Sequence, residues 1–417
     1  MFDSTALLGL FPPFRLVAGD RNALSFWVCR AAELLADWVF IVTLLVAVFG
    51  VTSDIAVVAL FMLLRVVPRA VVAFGLQDFA RRIGPRSLFL LSLPRIPLIA
   101  SLALIDGRSD LIWAGAVVTA YGLLMALSNQ SRAAMLPNLV PRPQLACVIQ
   151  LNAAIERITF VAGPLLAALI LWGWNVETAF VASAVAFGIT SLLLRTQIGT
   201  PREPLPQQVV QGASAHGAPS WNSVRRQPTL LLLAGGLFTG AALAICLKVV
   251  LVELATEPLE RSDAMLGVLV ALVGTGTLLG PLSVPRLLGH MPISLIVTGS
   301  VMGISAGIVL ISVVTRLEIV ALVLLGIGMI SITNDMVTAT AIRRIAPEAD
   351  LPGTGQLMLA AIISGQLVAA LAVALLARVW DITAVMLAVG IASALLMTVL
   401  FAAADGVSLV TRKLARW

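Results

Sequence analysis

Charge and histidine are scarce in this sequence. Asp, Glu, Lys and Arg make up 12% of its 417 residues, and the two histidines, His216 and His290, fall in polar connecting stretches. With no Ser/His pair, no paired Asp and no His/Glu set in an apolar segment, the chain offers neither a nucleophilic triad nor a metal centre. An enzyme is therefore not expected, and no cofactor is implied. Cysteine is nearly as scarce: Cys29, Cys147 and Cys246 sit singly in apolar runs without a CxxC pair, which excludes a disulfide framework. A basic soluble face is also missing, which argues against nucleic acid as a partner. The opening MFDSTALLGLFPPFRLVAGDR has no basic n-region and no small-residue cleavage site, so residues 1–25 read as a cytoplasmic lead-in and not as a signal peptide.

What fills the chain is apolar: 60% of residues are hydrophobic and the mean hydropathy is +1.04. Such a composition belongs to the lipid bilayer. Apolar segments fall at 26–50, 55–76, 87–105, 111–130, 146–172 and 176–194, then at 229–252, 264–285, 292–315, 317–340, 355–377 and 382–404. The polar stretch 199–227, rich in Pro, Gly, Gln and Ser, reads as a linker between two halves. The expected fold class is all-α, a polytopic membrane protein of twelve transmembrane helices in two pseudo-symmetric six-helix bundles. The bundles span 26–198 and 228–404, and a cytoplasmic tail covers 405–417. Basic residues concentrate in the segments that share a side with the N-terminus, leaving only Arg108, Arg261, Arg316 and Arg378 on the other. The positive-inside rule then places both termini in the cytoplasm.

The halves echo each other. A displacement of 205 positions lays Gly75 over Gly280, Arg81 over Arg286, Gly84 over Gly289 and Asn129 over Asn334. A duplicated six-span unit around a central pathway is the architecture of an alternating-access transporter.

Some spans nevertheless carry charge, although a charged side chain at the bilayer centre costs at least about 2.5–3.5 kcal/mol on insertion scales. In CRAAELLADWVF (29–40), Arg30, Glu33 and Asp37 stand at i, i+3 and i+7 and so form one stripe of a helix. Arg65 and Arg69 share a face of span two, Arg95 begins span three, and Asn152, Glu156 and Arg157 lie in span five. The second half offers Lys248, Asn334 and Asp335. Three uses of these groups stand open. Arg30–Glu33, Asp37–Arg65 and Glu156–Arg157 can be pairs that hold the first bundle together. Asp37, then Glu156, with Glu33 behind them, are candidates for proton coupling. Finally Arg30, Arg65, Arg69, Arg95 and Arg157, with Asn152, Lys248, Asn334 and Asp335, are candidates for substrate contact, since a guanidinium offers paired donors to phosphate or carboxylate. Basic residues outnumber acidic ones within the spans, which suits a neutral or anionic amphipathic solute better than a polycation.

The sequence resembles the major facilitator superfamily. Within it, the resemblance is to the bacterial efflux branch of macrolide exporters, enterobactin-type siderophore exporters and lysophospholipid flippases. Ala36-Asp37-Trp38 is similar to that branch's Gly-Asp-Trp, and SRAAMLPNLVPRPQLACVIQLNAAIERITFVAGPLLAALI (131–170) follows its order of Arg, Leu-Pro, Leu-Val-Pro-Arg, Asn and Gly-Pro. Arg95 also falls where the branch has Arg. The resemblance implies a proton-coupled antiporter or lipid flippase of the bacterial inner membrane, monomeric, with protons and a small amphipathic or lipid-like molecule as partners. It implies a gate loop at Gly75, Asp78, Arg81, Arg82, Gly84 and Arg86 and a helix-packing motif at Gly163 and Pro164. The loop departs from the family pattern, since Pro85 takes one Arg position and Asp78 comes early, and this keeps open a further alternative, a membrane assembly or sensor subunit that does not transport.

Overall fold

A computed structural model describes residues 21–135, 145–196, 228–256, 264–282, 291–314, 316–345 and 351–414. Among these residues there is no strand, as a lipid-spanning chain without a closed barrel requires, because only a helix satisfies its own backbone polar groups there. Eleven helices are long and apolar enough to cross a membrane, and a shorter apolar one covers Ala264–Leu279. The linker 199–227 lies outside the described residues.

The first half comprises α1 (Arg21–Thr52), α2 (Ile55–Phe74), α3 (Gln77–Arg82), α4 (Pro85–Ser92), α5 (Arg95–Ser101), α6 (Leu111–Met135), α7 (Leu145–Gly173) and α8 (Val176–Thr196). The second comprises α9 (Pro228–Thr256), α10 (Ala264–Leu279), α11 (Ile293–Val313), α12 (Leu317–Ile345), α13 (Leu351–Leu376) and α14 (Ile382–Leu414). Two differences from the sequence reading stand out. The third span, Arg86–Leu104, is interrupted at Leu93-Pro94, between α4 and α5, and closes with a 3-10 turn at Leu102–Leu104. Pro94 and Pro97 withhold two backbone donors there, and a proline ring collides with the carbonyl four residues back. The last helix also runs on to Leu414, so much of the expected tail is helical.

Local chemistry sets the ends. α1 stops where Ser53 turns left-handed, at φ 49°. Arg108 then donates from Nη2 to the Thr52 carbonyl (3.0 Å), satisfying an orphaned acceptor of the last turn. Asp54 caps α2 by accepting the Ala56 N–H at Oδ1 (2.7 Å). At the far end of α2, Gly75 and Leu76 both donate to the Val71 carbonyl, and α3 follows at once.

The chain forms two compact units. The first is made of 1–52, 67–205 and 262–271, the second of 53–66, 206–261 and 272–417. In the first unit α1 packs on α7 and α8, α8 on α4 and α5, and α6 on α3, α4 and α5. Phe40, Tyr121, Phe180 and Phe187 make a buried aromatic cluster between α1, α6 and α8, with Phe40 and Tyr121 centroids 4.4 Å apart. In the second unit α9 is central, against α11, α12, α13 and α14. There Gly276 of α10 and Gly328 of α12 let the two backbones touch, since a Cβ on Gly276 would meet Gly328 Cα at 2.9 Å.

Candidate functional site

The triplet Ala36-Asp37-Trp38 anchors α1 to three different helices, because consecutive helical residues point about 100° apart. The Ala36 carbonyl accepts from Ser183 Oγ of α8 at 2.9 Å. Asp37 Oδ1 accepts from Tyr121 Oη of α6 at 2.6 Å, both groups buried. Trp38 lies flat on Phe160 of α7, with centroids 4.5 Å apart and planes 14° from parallel. Trp38 also covers Gly163, where any Cβ would run into its own Cβ. The two short sequence marks that carried the resemblance, Ala-Asp-Trp and Gly-Pro, thus meet in space.

One turn earlier on α1, Glu33 is 1% exposed and is surrounded by three guanidinium groups. Arg95 Nη1 donates to Oε1 at 2.5 Å. Arg132 Nη2 lies 2.9 Å from Oε2 as an ion pair without hydrogen-bond geometry, and Arg30 Nη1 lies 3.6 Å away. Arg95 is itself almost fully buried and also donates from Nη2 to the Leu124 carbonyl (3.2 Å) and Ser128 Oγ. It therefore ties α5 to α1 and α6. Arg30 turns the other way as well, donating from Nη1 to Asn129 Oδ1 (2.8 Å) and from Nη2 to Glu156 Oε1 (3.2 Å). Glu156 accepts in addition from Asn152 Nδ2 (2.9 Å), one turn earlier on α7.

These groups border a cavity of about 260 Å³ inside the first unit, lined by Phe26, Arg30, Arg69, Asn129, Arg132, Ala133, Asn152 and Glu156. Among the described residues its wall holds three arginines and one carboxylate. Of the residues expected from sequence, Arg30, Arg69, Asn152 and Glu156 are brought together here. Glu33, Asp37, Arg65, Arg95 and Arg157 are not on its wall, and Lys248, Asn334 and Asp335 belong to the second unit. Arg95 stands off this wall as a buried post behind Glu33. Asn334 is also packed away, fully buried and donating from Nδ2 to the Gly236 carbonyl (3.2 Å), whereas Asp335 is exposed.

Arg132 and Tyr121 were missed by sequence reasoning. Arg132 reads as a loop residue beyond span four, yet α6 continues to Met135 and leaves Arg132 4% exposed. The available signal was the polar run Ser128, Asn129, Ser131, Arg132 at the end of an apolar span, with Asn129 and Arg132 at i and i+3. In the expected gate loop, Asp78, Arg82 and Arg86 are exposed, Gly75 occupies the turn after α2, and Gly84 precedes Pro85 at the start of α4. Arg81 lies on α3.

The helices define the class first: a multi-pass, all-helical membrane protein with a transporter's fold. Residues 26–353 match the family model of the Major Facilitator Superfamily, and the chain belongs to that superfamily. The structure is similar to that of a bacterial homologue of the iron transporter ferroportin in its inward-facing state. The TM-score is 0.67 at 14% identity, covering 91% of this chain and 98% of that one. It is similar too to a POT family transporter in complex with 5-aminolevulinic acid, with TM-score 0.69, 10% identity, and 92% and 96% of the two chains covered. A bacterial homologue of the human lysosomal transporter Spinster gives TM-score 0.67 at 13% identity, with 91% and 95% covered. Likeness at these identities establishes the fold. No curated protein sequence matches the chain.

Proposed function

We propose that this protein is a secondary active exporter that moves an amphipathic neutral or anionic small molecule outward by alternating access, in exchange for protons. It works as a monomer in the bacterial inner membrane, with both termini and the 199–227 linker on the cytoplasmic side. The observation that carries this reading is the cavity wall, where, among the described residues, Arg30, Arg69 and Arg132 face one carboxylate, Glu156. Such a wall attracts an anion and repels a polycation. Asp37 is the first candidate for proton coupling, because it is a buried carboxylate that accepts from the Tyr121 hydroxyl in the middle of an apolar span. Glu156 is the second, and Glu33 is assigned to holding its arginines.

The experiment is transport in liposomes with an imposed pH gradient. An anionic amphipathic fluorophore is expected to accumulate against its concentration gradient and to stop doing so when a protonophore is added. Asp37→Asn is expected to abolish the gradient-driven component, and unchanged transport would remove Asp37 from the mechanism. If no amphipathic probe of any charge moves in response to the gradient, the exporter reading fails. A second reading, flipping of lysophospholipid or glycolipid, is favoured by the polar lining of the cavity, which suits a headgroup better than a tail. Gradient-independent transfer of a labelled lysophospholipid between leaflets would select it.

A further inference from the structure

We propose that the cavity of the first unit is a subsite for an anionic headgroup, a phosphate monoester or carboxylate on an amphipathic molecule, which Arg132 grips and for which Glu156 is the built-in competitor. This rests on the exporter reading and narrows its substrate class. Arg132 has one committed nitrogen: Nη2 pairs with Glu33 Oε2 (2.9 Å) and contacts Cys29 Sγ (3.8 Å). Its Nε and Nη1 are buried with no hydrogen-bond partner among the described residues. Buried donors are almost always satisfied, and these two belong to a side chain that lines the cavity, so an anion drawn in against Arg132 can supply the missing acceptor. The same wall adds Arg30, Arg69, Asn129 and Asn152, all side chains with N–H donors. Phe26 packs beside Arg132, with its ring centroid 6.0 Å from the guanidinium carbon.

Volume points to a headgroup and not a whole molecule. The cavity's 260 Å³ falls below the roughly 300–1,000 Å³ of sites that enclose drug-sized ligands, yet it holds a phosphate or carboxylate with ease. The donors are partly occupied by the protein itself. Glu156 places Oε1 on Arg30 Nη2 (3.2 Å) and on Asn152 Nδ2 (2.9 Å), while its side chain remains 47% exposed against 11% for Arg30. An incoming anion takes over these donors, and the exposed glutamate swings clear. Glu33 is a positioning residue, since it fixes Arg132 from behind without reaching the cavity wall.

The test is calorimetric binding to the full-length protein in maltoside micelles, using hexyl phosphate, hexanoate, inorganic phosphate and hexyltrimethylammonium as probes. Hexyl phosphate is expected to bind and hexyltrimethylammonium is not. Arg132→Gln should weaken hexyl phosphate by about tenfold or more, with partial recovery in Arg132→Lys. Glu156→Gln, at an exposed position that the fold tolerates, should tighten hexyl phosphate several-fold by removing the competitor. The proposal is overturned if the cation binds as well as the anion, or if Glu156→Gln leaves affinity unchanged or weakened. Inorganic phosphate binding as tightly as hexyl phosphate also overturns it, since the site would then read a free anion and not an amphiphile. Gradient-driven transport of a neutral amphipath without anion binding would sink this subsite and leave the exporter reading standing. Anion binding without any transport would do the reverse.

Discussion

Glu33→Gln is the sharpest probe of how the first unit is held together. The substitution keeps shape and one acceptor but removes the negative charge from a group 1% exposed, leaving Arg95, Arg132 and Arg30 to face one another. Arg95 and Arg132 are 1% and 4% exposed, so water does little to screen them. Breaking a buried ion pair by removing one partner costs about 3–5 kcal/mol, because the remaining charge is stranded. At about 2–4 °C per kcal/mol for a unit of 150–250 residues, the melting temperature should fall by roughly 6–20 °C. Thermal unfolding in detergent, followed by intrinsic fluorescence, reads this directly. Arg95→Met in the Glu33→Gln background removes one stranded guanidinium, so the double variant should be more stable than the sum of the two single losses predicts. A drop under about 2 °C for Glu33→Gln, or strictly additive losses, would refute the picture of one carboxylate neutralising a buried arginine cluster.

Three further substitutions test separate features. Gly163→Ala forces a Cβ into Trp38, and overpacking of this kind costs about 1–3 kcal/mol; a lowered melting temperature together with a shifted tryptophan emission is the expected signature. Tyr121→Phe removes the hydroxyl that donates to buried Asp37 and should destabilise by about 1–3 kcal/mol, while also changing the pH profile of transport if Asp37 is the coupling group. Ser53→Gly relieves the left-handed turn at the end of α1 and should raise stability by up to about 1 kcal/mol, a gain that a denaturation series would detect.

The fold was legible because hydropathy is a one-dimensional signal: each span announces itself by its own residues, and the i, i+3, i+7 stripe of α1 needs only helical geometry. Pairing is not one-dimensional. Glu33 meets Arg95 across 62 positions, and Arg30 meets Glu156 across 126, distances over which sequence spacing says nothing about contact. Local reading therefore paired Arg30 with Glu33. The structure keeps that contact at 3.6 Å but gives Glu33 a closer partner in Arg95 and gives Arg30 a closer one in Glu156. Span three broke for a reason the sequence did contain, the prolines at 94 and 97, which the apolar run around them outweighed. Arg132 was hidden because an arginine after an apolar segment looks like a topological charge, and only the extra helical length of α6 buries it.

The internal repeat explains where the charges are and where they are not. Asn129 and Asn334, which coincide under the displacement of 205, do matching work in their own units. Asn129 accepts from Arg30 and ties α6 to α1, while Asn334 donates to the Gly236 carbonyl and ties α12 to α9. The same displacement lays Gly235 over the position of Arg30, Phe238 over Glu33, Ala242 over Asp37 and Val337 over Arg132. What both halves share is a polar bridge between corresponding helices, which packing alone requires. At the positions that correspond to Arg30, Glu33 and Arg132 the second half has the uncharged residues Gly235, Phe238 and Val337. The anion subsite proposed for the first unit therefore has no charged counterpart at these positions, and charge-neutral substitutions at Phe238 or Val337 should leave anion binding untouched.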